Sequence, residues 1–135
     1  MFLQDKAAFS LSTYSVLDFS YHYSDYESLE MDLKTKGDFN EEEATFHVQL
    51  DFTAKSSKDN SEILNCQMTG SFIFKDKITI EDVPSYFYIN SVAILFPYLR
   101  AFISTLSVQA NHKLIIIPTM NLQQVGAKFK DDMTK

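Results

Sequence analysis

Tryptophan is absent from this sequence, cysteine occurs once, and glycine and proline occur three times each. The single Cys66 excludes an intramolecular disulfide. With no Cys-x-x-Cys or His-x-x-x-His spacing, the chain lacks the signature of a structural zinc site. Gly37, Gly70 and Gly126 are scattered, and none opens a loop that would cradle a phosphate. The histidines, His22, His47 and His112, lie far apart without a carboxylate or thiol at ligand spacing. No enzyme activity, metal or cofactor is therefore expected. Cations are scarce too: 12 Lys and Arg stand against 18 Asp and Glu, and a formal charge of −6 disfavours nucleic acid, whose phosphates need clustered Lys and Arg. No uninterrupted apolar run approaches the roughly 20 residues that cross a bilayer, and no charged-then-apolar leader opens the sequence. The expectation is a soluble, cytoplasmic protein without stable membrane insertion.

What is present is aromatic and patterned. Twelve Phe and seven Tyr in 135 residues, within a hydrophobic fraction of 45%, indicate one folded domain over residues 1–135. Residues 1–8 are expected to be flexible and 131–135 to form a tail. From Phe9 the apolar residues alternate, as they do along a half-buried strand. Phe9 and Leu11 share one phase, and Leu17, Phe19, Tyr21 and Tyr23 form another set. Tyr14 and Val16 fall out of phase between them, as a bulge would produce. Leu29, Met31 and Leu33 predict a short second strand closed at Lys36-Gly37. The third strand is the clearest, with Phe46, Val48, Leu50, Phe52 and Ala54 alternating against His47, Gln49, Asp51, Thr53 and Lys55. A fourth carries Leu64, Cys66, Met68, Phe72 and Phe74 on one side, and Gly70 within it marks a bulge or a close backbone approach. Short polar turns between strands predict an antiparallel meander.

After Lys75-Asp76-Lys77 the period changes. Ile80–Ile89 is expected to form a short helical turn with Asp82 as cap. Val92, Leu95, Phe96, Leu99, Phe102, Ile103 and Leu106 then recur at helical spacing, with Asn90 or Ser91 as cap and Pro97 as a kink. Ala93, Ile94, Ala101 and Val108 widen the stripe beyond what one sheet needs, which marks an association surface. A second apolar run, Leu114–Ile117, ends at Pro118, and Asn121–Lys130 predicts a short final helix. The fold class is α+β: a four-stranded antiparallel sheet followed by a long kinked helix and a short C-terminal one. Tyr14, Tyr21, Tyr23, Tyr26, Tyr86, Phe87, Tyr88 and Tyr98 exceed any single core stripe. They either cover the sheet and a subunit interface or line a groove for extended peptides.

One stretch carries a resemblance. Ile94-Leu95-Phe96-Pro97-Tyr98, Arg100, Ile103-Ser104, Leu106, Ile115-Ile116-Ile117-Pro118 and Asn121 resemble the signature of the SecB family of export chaperones, without a gap from Ile94 to Leu122. The resemblance implies an ATP-independent holdase that keeps unfolded preproteins competent for export through the SecA translocase motor. It also implies a homotetramer, a dimer of dimers with the long helices in the middle. Client contact then falls to Tyr86, Phe87, Tyr88, Leu114, Ile116, Met120 and Leu122. Packing and assembly fall to Leu95, Phe96, Leu99, Phe102, Ile103 and Leu106, with Arg100 tying the helix to a neighbouring carboxylate or carbonyl. Motor docking, where the family carries Leu-x-Glu on the fourth strand, maps to Ile63 and Asn65, with charge from Asp18 and Asp51. Where family members carry Gly-Gly-Phe after the helix, this chain has Ala110-Asn111-His112, and the family's acidic tail is missing. Divergent relatives guard an antitoxin, an alternative reading of the same fold. A small-ligand-binding domain or enzyme on an α+β sheet is the alternative from another class.

Overall fold

A computed structural model describes residues 8–118 and 120–134 of the chain, so most of the N-terminal stretch expected to be flexible, and Lys135 of the expected tail, lie outside the described residues. Four strands form one antiparallel sheet: β1 (Phe9–Tyr21), β2 (Leu29–Asn40), β3 (Thr45–Ser56) and β4 (Glu62–Phe74). A 3₁₀ turn at Ile80–Asp82 precedes α1 (Ser85–Gln109), and α2 (Leu122–Met133) ends the fold. α2 absorbs three residues of the expected tail. Its cap is Asn121, whose Oδ1 accepts the N–H of Gln124 at 3.2 Å.

The strand order is β1-β4-β3-β2, which corrects the meander. Only β2, β3 and β4 follow one another through tight turns. β1 lies beside β4, so the chain crosses from one edge of the sheet to the other between Tyr21 and Leu29, a Greek-key order. Local turn chemistry sees hairpins but not which strand an edge will accept.

Alternation puts Phe46, Val48, Leu50, Phe52 and Ala54 of β3, and Leu64, Cys66, Met68, Phe72 and Phe74 of β4, on a buried face. α1 crosses β3 and β4 on this side while α2 covers β2, and Phe129 seals the end of the core. Phe46, Phe72, Phe74 and Phe87 form an edge-and-tilt aromatic cluster, with ring centroids 4.7 Å apart for Phe46 and Phe87. β2 is longer than expected. Gly37 does not close it but pairs with Val48 inside the ladder, because a Cβ there would lie 2.6 Å from Phe46 and 2.9 Å from Phe129. Gly70 likewise pairs regularly and clears space for Leu95, whose Cδ2 would be 2.5 Å from an added Cβ.

β1 carries two register shifts against β4, leaving Ser12 and Leu17 as extra residues. They return Phe9, Leu11, Tyr14, Val16, Phe19 and Tyr21 to one face, the face that meets α1. The sequence's apparent change of phase is thus the signature of two bulges, with Leu17 the second bulge rather than the start of a new set.

α1 begins at Ser85, five residues ahead of Asn90, and Pro84 occupies its N-cap position without a side-chain cap. Asn90 lies within the helix, and buried Ser91 donates to the Tyr88 carbonyl at 3.3 Å. Asp82 caps nothing there; Thr79 donates to its carboxylate at 3.2 Å, and Glu41 accepts the Ile80 N–H at 2.9 Å. The missed turns are rich in aromatic residues of high strand propensity, and burial of Phe87 and Tyr88 against the sheet overrides that preference. The helix runs uninterrupted through Pro97. Proline supplies no N–H to the Ala93 carbonyl, and both residues sit on the exposed side, where water can serve it. Although no continuous apolar run is long enough, α1 has the length and composition to cross a membrane. Here its apolar stripe is spent on the sheet.

Candidate functional site

The end of α1 builds the site. Asn111 adopts a left-handed conformation (φ 60°), its N–H reaches the Val108 carbonyl at 2.9 Å, and the His112 N–H reaches the Ser107 carbonyl at 3.1 Å. This is a Schellman ending in which asparagine does what glycine usually does. The chain then doubles back along α1. Buried Ser107 accepts the Ile115 N–H at 3.0 Å and donates to the Ser104 carbonyl at 2.9 Å, while Ser104 donates to the Ile115 carbonyl at 2.9 Å. Two helix hydroxyls therefore hold both backbone groups of one extended residue.

Fixing Ile115 fixes its neighbours by the two-residue alternation of extended backbone. Ile115 and Ile117 are buried (2% and 1% exposed), and Leu114 and Ile116 point out (46% and 62%). Facing them are Tyr26 of the β1–β2 crossing and Leu29 and Met31 of β2, and together with Lys113 these line one open trough. Among the described residues, Lys113 is the only charged side chain in its lining, with Nζ 5.2 Å from the centre of the Tyr26 ring. Burial holds the Tyr26 and Tyr21 phenols above their ordinary pKa, with neighbouring tyrosines adding to it. The exposed Tyr23 phenol is raised chiefly by its hydrogen bond to Asp25 at 3.2 Å. All three rings are neutral at physiological pH.

A second apolar surface lies along β1. Tyr14 stacks on Tyr98 (4.3 Å), Phe19 meets Phe102 edge-on (5.3 Å) and Phe9 lies 6.4 Å from Tyr86. Tyr14, Phe19, Tyr86, Ile94 and Tyr98 remain substantially exposed. β1 is also an edge strand with a single charge, Asp18, whereas the opposite edge, β2, carries Glu30, Asp32, Lys34, Lys36 and Asp38. Charges are how sheet edges resist pairing, so the two edges differ in kind.

The expected contact residues divide. Leu114 and Ile116 line the trough. Met120 and Leu122 are half-buried against the core, and Tyr86 lies at the far end of α1 against Phe9. Phe87 and Tyr88 are fully buried in the aromatic core, away from the trough, which corrects their expected place at an exposed contact surface. Tyr26, Leu29 and Met31 stand in the trough lining instead; Tyr26 stood out as a surplus aromatic, but nothing in the sequence joins it to Leu114. Of the helix set, Leu95, Phe96, Leu99 and Ile103 are buried against this chain's own sheet, and Phe102 and Leu106 are half-buried beside it. Ala93, Ile94, Ala101 and Val108 are the exposed ones. Arg100 makes no ion pair among the described residues and lies 5.9 Å from the Phe96 ring centre.

On the polar face of the sheet, Asp18 and Asp51 flank Gln67 in one cross-strand row. Asn65, one row away, donates to Thr53 at 3.1 Å. Ile63 is buried where β4 bulges against β3 and offers no docking surface. His47 bonds Ser71 at 3.0 Å, and no group of three His, Cys, Asp or Glu among the described residues is placed to hold a metal. Burial, with Asp18 nearby, pushes the Cys66 thiol up to about 11, so it is no nucleophile at neutral pH.

Fold and surface define a chain with more apolar surface than it covers by itself, displayed as a trough and as a second surface along β1, on a sheet backed by two helices. The chain belongs to the SecB family: residues 10–132 match the family profile described as preprotein translocase subunit SecB. An uncharacterised protein of Methanocaldococcus jannaschii is 33% identical over 107 residues, covering 76% of this chain and 68% of that one. The same fold occurs in a SecB-like chaperone of Mycobacterium tuberculosis, solved in complex with a peptide from an antitoxin, at a TM-score of 0.67 and 12% identity over 84% of this chain and 88% of that chain. A Streptococcus agalactiae protein of unknown function aligns at a TM-score of 0.50 and 9% identity, over 83% and 98% of the two chains.

Proposed function

We propose that this chain is a chaperone, an ATP-independent holdase that binds unfolded polypeptides and keeps preproteins competent for export. The observation that carries the reading is the pair Leu114 and Ile116, held outward by the grip of α1 on Ile115, opposite Tyr26, Leu29 and Met31. An extended client presents side chains at the same two-residue period, so its apolar residues fall into register with this pair. Covering one such side chain is worth about 1.5–3 kcal/mol, so a single trough holds weakly and reversibly. Binding only the unfolded client draws it away from folding by mass action.

Assembly multiplies the troughs. The exposed β1 edge and the outer side of α1, with Ile94, Tyr98, Ala101 and Val108, serve as the surfaces of a homotetramer, and several troughs reached by one chain add avidity without tight local contacts. The polar sheet face, with Asp18 and Asp51, is left for the SecA motor, and the protein works in the cytoplasm.

One observation favours a second reading, a chaperone dedicated to an antitoxin: the M. tuberculosis protein of the same fold was solved with an antitoxin peptide. Light scattering tests the shared core of both. Added at stoichiometric amounts to a denatured precursor, the protein suppresses aggregation, and Ile116→Asp weakens the suppression. Unchanged aggregation with the wild-type protein overturns the holdase reading. Suppression confined to an antitoxin among a panel of clients selects the second.

A further inference from the structure

A shallow hollow on the α1 side of Ile116, lined by Pro97, Arg100, Ala101 and Ser104, meets the trough at that residue. Each holds one cation, Lys113 in the trough and Arg100 beside α1, and among the described residues no carboxylate lines either. Both cations are exposed, and neither makes an ion pair among the described residues. The acidic residues that stand near the trough in sequence are placed elsewhere. Asp25 accepts from the Tyr23 hydroxyl at 3.2 Å, Glu27 is exposed outside both linings, and Glu30 belongs to the polar face of the sheet. In a chain with 18 Asp and Glu against 12 Lys and Arg, two adjoining hollows with cations alone depart from the surface around them.

The Lys113 ammonium lies 5.2 Å from the centre of the Tyr26 ring, which holds the charge at the wall of the trough. An ammonium has three N–H donors, and a ring on one side leaves donors for a carboxylate. An extended segment repeats its side chains on one face every two residues, about 6.6 Å. With apolar side chains over Ile116 and Leu114, the next one on that face arrives at Lys113. Granting that the trough is the polypeptide site, we infer that it selects extended apolar segments carrying Asp or Glu two residues beside the apolar pair. Lys113 binds that carboxylate, and Arg100 adds to the same field. The net charge of −6 opposes this choice only from a distance. Salt screens it beyond about 8 Å at physiological ionic strength, whereas the ion pair forms at contact. Selection by overall charge would favour basic segments, so the two orders are opposite.

Three end-blocked peptides, Gly-Xaa-Ser-Leu-Ser-Phe-Ser-Xaa-Gly with Xaa as Glu, Gln or Lys and the same uncharged dye, test it by fluorescence anisotropy, with the full chain titrated into the millimolar range. The Glu peptide binds about two- to fivefold more tightly than the Gln peptide, the range of an exposed ion pair, and the Lys peptide binds weakest. At about 1 M salt, where the screening length is about 3 Å, the gap between Glu and Gln closes. Lys113→Gln binds the Gln peptide like wild type and loses the preference for Glu, while Lys113→Arg keeps it. Tightest binding of the Lys peptide, equal binding of all three, or a Glu preference that survives in Lys113→Gln overturns the selectivity and leaves the holdase reading intact. If the peptides bind alike and Lys113→Gln lowers the mass measured by light scattering, the cation serves contact between copies and the proposal falls. The failure of the trough itself has a separate signature: Ile116→Asp binding the Gln peptide as well as wild type overturns the trough as the client site, and its selectivity falls with it.

Discussion

The hydroxyl of Ser107, wholly buried in α1, accepts the backbone N–H of Ile115 at 3.0 Å, and this bond sets which residues of the following segment face solvent. Serine in a helix interior commonly spends its hydroxyl on its own backbone. Here the hydroxyl donates to Ser104 and still accepts from a neighbouring segment. Ser107→Ala leaves the buried Ile115 N–H without a partner, a cost of about 1–3 kcal/mol. The urea midpoint is expected to fall accordingly, with client binding weakened as Leu114 and Ile116 lose their fixed phase. A midpoint unmoved by the change would show that the bond does not hold the segment.

Gly126 is the contact point between the two helices. A Cβ there would lie 2.6 Å from the Cα of Ile89, and backbone cannot step aside as a side-chain end can. Gly126→Ala is expected to cost about 1–3 kcal/mol despite alanine's better helix propensity. α2 is expected to loosen first, exposing Phe129. Faster amide exchange confined to residues 122–133 checks this, and stabilisation would contradict the packing.

Cys66 gives the fold an alkaline limit. Its thiol titrates near 9 when exposed and near 11 when folded, chiefly through burial and then through Asp18. Between these values the unfolded chain has lost a proton that the folded chain retains. Stability is therefore full below pH 9 and falls as pH rises toward 11. Tyr88, raised by burial, acts with the same sign at higher pH. Unfolding midpoints at pH 7, 9 and 10 should fall, and Cys66→Ala should flatten the early part of that fall. An identical slope in the variant would assign it to other groups.

Assembly is expected to depend on residues the single chain does not bury. Ile94→Asp and Tyr98→Glu place charges on the exposed side of α1 and are expected to lower the mass measured by light scattering from a tetramer to a smaller species, with little change in monomer stability. Leu95→Ala, by contrast, should cost about 2–5 kcal/mol of folding stability, because that side chain is core. A monomeric wild-type protein would remove the basis for assembly through β1 and the outer side of α1.

Much of the fold could be read from period alone. β3 appears as an unbroken two-residue alternation and α1 as an apolar stripe at helical spacing, because each buries one face along most of its length. Asn121 was legible as the start of the last helix, and the structure adds that its side chain caps it. The strand order was not, since β1 beside β4 is a pairing between residues 9–21 and 64–74 that no turn announces. The trough was half legible. Leu114 and Ile116 stand in an apolar run, but an apolar run does not say which members face out, and Ser104 and Ser107, which decide it, lie about seven to twelve residues upstream.

Composition and periodicity by themselves determined the class of the molecule: a sheet with one oily face, a long helix to cover it, and a surplus of aromatic residues in an acidic chain. Only the tertiary structure decided which of those residues were surplus. Two helices span β2, β3 and β4 and reach just the flank of β1, so Phe87 and Tyr88 vanish into the core while Tyr14, Phe19 and Tyr98 stay uncovered. A pattern along the chain tells which face of an element is apolar. Whether that face is covered depends on the widths of the layers that meet, and those are set by contacts between residues far apart in sequence.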